Sequence, residues 1–225
     1  MPNGKLIVLE GPEGAGKTTQ APRAAEWLND SGHQAVSLRE PGGTPIGDQI
    51  RRILLDTPDG AVSDAAEALL YMASRAQLVD RVVRPALARG TIVLLDRFFL
   101  STYAYQVVGR GLPEEKVRAA NQLAVGGLVP DLTIMLMIPA AEGLARVARR
   151  GAHDRLERAD RAFHERVANA FVTFTDGQWQ RAHPECGPVE SVDATAGVEE
   201  VHASIVEVLR RRWPESFAAK PGRHV

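Results

Sequence analysis

The sequence is poor in several things, and each shortage excludes a class of answer. It has one cysteine, Cys186, so no intrachain disulfide can form and a disulfide-stapled secreted scaffold is ruled out. That thiol sits in Pro184-Glu185-Cys186-Gly187-Pro188, with nothing beside it to mark a nucleophile. The formal net charge is only -1, which gives no global electrostatic case for a dedicated nucleic-acid or membrane-surface binder. No apolar run approaches the roughly 20 residues that a membrane span requires. The short apolar segment after Lys5 runs straight into a glycine-rich stretch, unlike a secretory leader, so a cytoplasmic protein is expected. There is no internal repeat and no low-complexity linker. The 225 residues have ordinary apolar and charged content, and residues 1–225 are expected to form a single domain.

What is present is organised around Gly11-Pro12-Glu13-Gly14-Ala15-Gly16-Lys17-Thr18, which fits the phosphate-binding pattern G-x-x-x-x-G-K-[ST]. The flanks suit it. Leu6-Ile7-Val8-Leu9 before it is an apolar run of strand length, and Thr19 to Asn29 after it has helical spacing. Glycines there let backbone N–H groups turn toward phosphate oxygens, and a helix start adds unpaired donors. Lys17 is placed to reach the β- and γ-phosphates and the Thr18 hydroxyl to hold Mg²⁺, so the chain is expected to bind a nucleoside triphosphate.

Further strands are expected over Ala35–Leu38, Ile92–Leu95, Leu132–Ile138 and Val189–Val192. Helical patterns fill the gaps: Ile46–Leu55, Asp64–Arg89, Glu114–Val125, Ala140–Arg150, Arg161–His183 and Val198–Arg212. Alternation of near-continuous apolar strands with helices argues an α/β fold with a doubly wound parallel sheet. Pro85 should kink the long helix near Arg81 or end its regular part, and Pro22 demands an adjustment one turn into the first helix. The tail from Pro214 to Val225 is expected to fray.

Ligands of such sheets bind beyond the carboxyl ends of the strands, and those ends are polar here. The second strand runs into Arg39-Glu40-Pro41-Gly42-Gly43-Thr44, and the third into Asp96-Arg97. An aspartate at that point is where a carboxylate orients Mg²⁺, although a surface ion pair is the bland alternative. Arg75, one turn after Tyr71, reads on its own first as a solvated helix face and second as a fork that hydrogen-bonds a base beside an aromatic platform. Ser101-Thr102-Tyr103-Ala104-Tyr105-Gln106 reads as the first helical turns after Asp96-Arg97, with its hydroxyls and amide capping or exposed. The arginines at 146, 149, 150, 155 and 158, broken by Gly151, read either as a solvated charge run or as a lid bringing guanidinium groups to a transferring phosphate.

Taken together, these segments resemble the thymidylate kinase family over nearly the whole chain. The matching stretches are Glu10 to Gln20, Arg39 to Thr44, Ala73-Ser74-Arg75-Ala76-Gln77, Asp96-Arg97, Ser101 to Gln106, Pro130-Asp131-Leu132-Thr133 and Asp154-Arg155-Leu156-Glu157. The phosphate loop alone is widely shared, whereas the Arg-Glu-Pro-Gly-Gly-Thr turn in register with Asp-Arg and Ser-Thr-x-Ala-Tyr-Gln is far more specific. The resemblance implies a P-loop kinase fold with a five-stranded sheet, a short arginine-rich lid at about 147–160, a homodimer, and transfer of the ATP γ-phosphoryl group to dTMP.

It also implies roles for particular residues. ATP falls to Gly11, Pro12, Glu13, Gly14, Ala15, Gly16, Lys17, Thr18, Thr19 and Arg146, and Mg²⁺ to Thr18 and Asp96. The dTMP side falls to Glu13, Glu40, Pro41, Arg51, Tyr71, Arg75, Arg97, Ser101, Thr102, Tyr105 and Gln106. Within that set Arg75 would hydrogen-bond a thymine carbonyl, Tyr71 stack on the base, Arg51 and Arg97 hold the acceptor phosphate, and Tyr105 pack against the sugar. Lys17, Arg97, Arg150 and Arg155 are the implied catalytic cations, because the loop has no arginine and the lid does. The bond before Pro41 is a candidate cis peptide. One departure stands out: the family's Leu-Asp at the end of the fourth strand is Leu136-Met137 here. Rival readings are a same-fold kinase for another acceptor, a nucleotide-dependent switch or ATPase, and a binder that has lost turnover.

Overall fold

The computed structural model describes residues 4–151, 155, 156 and 158–217, with Arg150 described in its backbone alone. Five strands form one all-parallel sheet in the order β2-β3-β1-β4-β5: β1 Leu6–Glu10, β2 Ala35–Arg39, β3 Ile92–Asp96, β4 Leu132–Met137 and β5 Val189–Asp193. The central strands are near-continuous apolar runs because both of their faces are covered. Leu6 and Val8 point into one core with Val93, Leu95, Phe98 and Phe171, while Ile7 and Leu9 point into another with Leu28, Leu94, Ile134 and Ile205. The edge strands β2 and β5 carry Ser37, Arg39, Glu190 and Ser191 and are only partly buried.

The helices follow their sequence signals closely. They are α1 Lys17–Asp30, α2 Pro45–Asp56, α3 Asp64–Leu78, α4 Arg84–Ala88, α5 Phe99–Thr102, α6 Glu114–Val125, α7 Ala140–Arg150, α8 Arg161–Thr173, α9 Gly177–Ala182, α10 Val198–Arg212 and α11 Pro214–Phe217. The Thr44 hydroxyl caps α2 by accepting from Gly47 N, with Pro45 in the first turn where its missing N–H costs nothing. Between α3 and α4 the chain widens into a π-helical turn over Val79–Val83. That is the kink expected from Pro85, whose ring nitrogen cannot donate to the Arg81 carbonyl. Helix α1 runs through Pro22 without a break.

Three expectations differ from the structure. The helix read over Arg161–His183 is two helices, because Asp176 accepts from the Gln178 and Trp179 N–H groups and starts α9 afresh. The segment after Asp96-Arg97 is α5 followed by a second π-helical stretch, Tyr103–Gly109. The tail does not fray at Pro214: α11 buries Phe217 against Trp27, His33 and Trp213, and residues 218–225 lie outside the description. Among the described residues, no helix is long and apolar enough to cross a membrane.

Candidate active site

Strand register decides which side chains meet. Leu9 of β1 pairs with Asp96 of β3, and Arg39 of β2 pairs with Asp96 from the other side. The phosphate loop, the Asp96-Arg97 corner and the turn after β2 therefore leave the sheet at one edge, where β1 lies between β3 and β4. The loop is pressed against the start of α7. A Cβ on Gly14 would lie 2.1 Å from the Gly143 carbonyl oxygen, and one on Gly143 would lie 2.2 Å from that of Glu13. Gly16, at φ +92, turns the chain into α1.

A cavity of about 300 Å³ opens at this edge. Its phosphate end is lined by Glu13, Gly14, Gly16, Lys17, Thr18, Thr19, Asp96 and Arg146, and its far end by Tyr71, Arg75, Ser101, Thr102, Tyr105 and Gln106. Glu40, Pro41, Arg51 and Arg97 line the stretch of wall that completes it. Gly11, Pro12 and Ala15 support the loop without lining the cavity. The Lys17 ammonium donates to the Gly11 and Pro12 carbonyls at 2.9 and 2.7 Å. Burial and the Arg97 charge press its pKa down to about 8, against a partial pull upward from Glu13, Asp96 and Glu10.

Asp96 and Thr18, the residues expected to hold Mg²⁺, meet directly: the Thr18 hydroxyl donates to Asp96 Oδ2 at 2.6 Å. Asp96 Oδ1 is buried and has no hydrogen-bond partner, a carboxylate oxygen left for a cation or its water. A hydroxyl, one carboxylate oxygen and phosphate oxygens are hard oxygen donors, the kind that Mg²⁺ takes, so these residues fit that ion.

Arg97 links the two ends. It is the non-glycine residue with a left-handed backbone among the described residues, at φ +72. Its guanidinium donates to Glu13 Oε1 at 2.6 Å and to Ser101 Oγ at 2.9 Å, and lies over the Tyr105 ring. The Tyr105 hydroxyl donates to the same Glu13 oxygen at 2.7 Å. Burial works to raise the Glu13 pKa, but Arg97, Lys17 and the Tyr105 hydroxyl bring it down to about 2. The corner itself is held by Glu10, which has no role in the sequence reading beyond the loop match. Its wholly buried carboxylate accepts from Phe98 N, Ser101 N and Ser101 Oγ at 2.7, 3.0 and 2.6 Å.

Arg75 is not the solvated helix face that its neighbours alone suggest, being only 1% exposed. Nε and Nη2 meet Glu40 Oε2, Nη2 also meets the Phe98 carbonyl, and Nη1 meets Thr102 Oγ1 and Asn121 Oδ1. The guanidinium thus donates four hydrogen bonds to protein oxygens, and Nη2 also lies at ion-pair distance, 2.6 Å, from Glu40 Oε2. The Glu40–Pro41 bond is cis. Arg51 donates to the Pro41 carbonyl at 2.9 Å.

The lid arginines divide. Arg146 lines the cavity and donates to the Ala194 and Thr195 carbonyls at 2.8 and 2.7 Å, while Arg149 is exposed. The side chain of Arg150 lies outside the described residues, as do Asp154 and Glu157. Arg155, expected to face the transferring phosphate, lies beside Glu67 in this structure. It is buried, does not line the cavity, and donates to Glu67 Oε2 at 2.5 Å and to the Leu54 carbonyl at 2.8 Å. A guanidinium so buried must break an ion pair before it can reach a phosphate. Met137, in the place of the family's aspartate, packs half-buried against the core.

Sequence reasoning passed over Glu67 and Asn121. Both are wholly buried, in helices where a carboxylate or amide reads as surface decoration. For Glu67 the available signal was its place on α3, one turn before Tyr71 and two before Arg75.

The comparisons with known proteins agree. The family model described as thymidylate kinase matches residues 9–205. The chain is 45% identical over 217 residues to the thymidylate kinase of Geobacter sulfurreducens, covering 94% of this chain and 99% of that one. It is 46% identical over 212 residues to that of Deinococcus radiodurans, with the same coverage, and 44% identical over 206 residues to that of Pseudomonas syringae, covering 92% and 95%. The phosphate loop, Asp96 and the side chains from Tyr71 to Gln106 thus line one cavity of a chain that matches these proteins over more than nine-tenths of its length, and it belongs to the thymidylate kinase family.

Proposed function

We propose that the chain transfers the γ-phosphoryl group of ATP to dTMP, giving dTDP and ADP. One observation carries this reading: a single cavity joins a triphosphate loop to a pocket of aromatic and amide side chains, with Arg97 bonded toward both.

A nucleoside monophosphate is already largely dianionic near neutral pH, with a second pKa near ~6, so the attacking oxygen needs no general base. The obstacles are repulsion between two phosphate-bearing anions and the poor alignment of free reactants. Lys17 leaves the Gly11 and Pro12 carbonyls for the β- and γ-phosphate oxygens. Thr18 Oγ1 and Asp96 would hold Mg²⁺, which when bound screens the charge on the β- and γ-oxygens. Arg97, held by Glu13 and Ser101, presents its guanidinium to the acceptor phosphate and fixes the line of attack, with Arg51 beside it. Tyr105, tied to Glu13, fills the space beside the sugar, and Tyr71 offers a ring to the base. Arg150 is assigned to the transferring phosphoryl group on the family resemblance. Arg155 serves instead to anchor the lid segment.

The family resemblance also supports a cytoplasmic homodimer. Leu69 on α3 and Leu123 on α6 are 63% and 87% exposed on helices that pack together, an apolar face suited to a second copy. The test of function is incubation with Mg-ATP and a panel of nucleoside monophosphates, reading ADP. Formation with dTMP, weaker formation with dUMP and only trace formation with dCMP is expected. Equal use of dCMP would overturn the base-site assignment.

A further inference from the structure

A buried carboxylate that the mechanism leaves unused stands behind the base end of the cavity. Glu67 is wholly buried, yet it meets three donors from two other parts of the chain. Oε1 accepts from Gln106 Nε2 at 2.9 Å, and Oε2 accepts from Arg110 and Arg155 at 3.0 and 2.5 Å. Arg110 Nε also approaches Oε1 at 3.3 Å. Burial works to raise the Glu67 pKa, but the bonds from Arg110, Gln106 and Arg155 pull it below the ordinary carboxylate range.

The consequence falls on Gln106. An ionised carboxylate only accepts, so the Gln106 amide must turn its NH₂ toward Glu67; the flipped amide would set two acceptor oxygens against each other in the core. The amide oxygen then faces the other way. It has no donor among the described residues and is not sealed off from solvent, and since Gln106 lines the cavity, that oxygen opens into it. Resting on the dTMP reading above, we infer that Glu67 is a positioning residue for base specificity: its carboxylate fixes the Gln106 amide so that a hydrogen-bond acceptor faces the base.

That acceptor suits one chemical class. A 4-oxo pyrimidine such as thymine or uracil carries a donor N3–H, which Gln106 Oε1 can accept. Cytosine presents an unprotonated N3, a second acceptor, and the two oxygen and nitrogen lone pairs would repel. Arg75 is already engaged by Glu40, Phe98, Thr102 and Asn121, whereas the Gln106 oxygen has no protein donor among the described residues. On this account discrimination against cytosine rests first on Gln106 and, behind it, on Glu67.

The experiment measures kcat/KM for dTMP, dUMP and dCMP in the wild type, Glu67→Gln, Glu67→Asp, Gln106→Leu and the Glu67→Gln/Gln106→Leu pair. Glu67→Asp keeps a charge for both arginines while drawing the carboxylate away from Gln106, so it serves should Glu67→Gln fail to fold. Gln106→Leu leaves the two ion pairs in place. Each single variant is expected to lower the dTMP-to-dCMP ratio about tenfold, one hydrogen bond's worth, with dTMP and dUMP falling together. The paired variant should lose no more of that ratio than Gln106→Leu alone, because Glu67 acts through Gln106. If Glu67 merely holds the fold, all three acceptors will fall by the same factor and the ratio will stand, which overturns the inference. A wild type that uses dCMP as well as dTMP, or neither, overturns instead the functional reading on which it rests.

Discussion

Lys17 offers a quantitative test, because the nucleotide-free protein holds it at a pKa of about 8, well below its ordinary 10.5. The depression has two leading causes, burial and the nearby Arg97 charge, and net of the opposing pull from Glu13, Asp96 and Glu10 the ammonium is disfavoured by about 3 kcal/mol. A bound triphosphate reverses the balance by placing negative oxygens where the loop carbonyls now stand, and so raises the pKa of Lys17 in the complex. Binding must then take up protons wherever free Lys17 is partly neutral. From a pKa of about 8 the expected uptake per ATP is about one-tenth at pH 7, about half at pH 8 and about nine-tenths at pH 9. ATP affinity should fall accordingly as pH rises past 8. The sign for stability is opposite: between about 8 and 10.5 the unfolded chain binds more protons than the free folded protein, so its stability rises with pH across that window. Calorimetric titration with ATP in two buffers of different ionisation enthalpy, at each pH, reads the uptake directly, and Lys17→Met should abolish it. Uptake that stays small at pH 9, or that persists in Lys17→Met, would refute the reasoning.

Three other perturbations follow from the same geometry. Arg97→Ala and Arg97→Gly should both lose on the order of 10³-fold or more in turnover. The glycine variant should unfold at higher denaturant by about 1 kcal/mol, because only alanine still bears the cost of a left-handed backbone; equal stabilities would remove the strain at this corner. Asp96→Asn should raise the Mg²⁺ concentration needed for half-maximal ADP formation while melting within a few degrees of wild type, since Thr18 keeps a partner oxygen. An unchanged Mg²⁺ requirement would contradict the metal assignment. Arg155→Ala should behave first as a stability variant, losing about 1–3 kcal/mol in urea, because Glu67 loses one buried partner while Arg110 and Gln106 still hold it. Wild-type stability with turnover abolished would return Arg155 to the transferring phosphate.

How much of this was legible in the sequence depended on how far each signal reaches along the chain. The phosphate loop, five apolar strands and most helix bounds are local patterns, and Leu6 to Thr18 alone gives strand, loop and helix start in order. Pro85 gave away the widened turn before it, since a missing N–H is visible in one letter. The α8–α9 break was equally local, an Asp176 cap ahead of Gly177, but the surrounding helical periodicity masked it. The docking of Phe217 was not local, because its aromatic partners Trp27 and His33 lie at the other end of the chain. The same holds for the buried polar framework. Glu10 reaches Ser101, Glu67 reaches Arg155 and Arg75 reaches Asn121, contacts that only the folded sheet creates. Arg75 shows the limit most clearly. Its neighbours on the helix suggest solvent, whereas the fold surrounds it with acceptors.

The central claim is direct transfer between two nucleotides held end to end, and isotope transfer from γ-labelled ATP tests it most directly. With Mg-ATP and dTMP, the label should appear in dTDP, one equivalent for each ADP formed, and not in inorganic phosphate. Label released as inorganic phosphate at a rate that dTMP leaves unchanged would contradict the account and mark the chain as a nucleotide-hydrolysing switch.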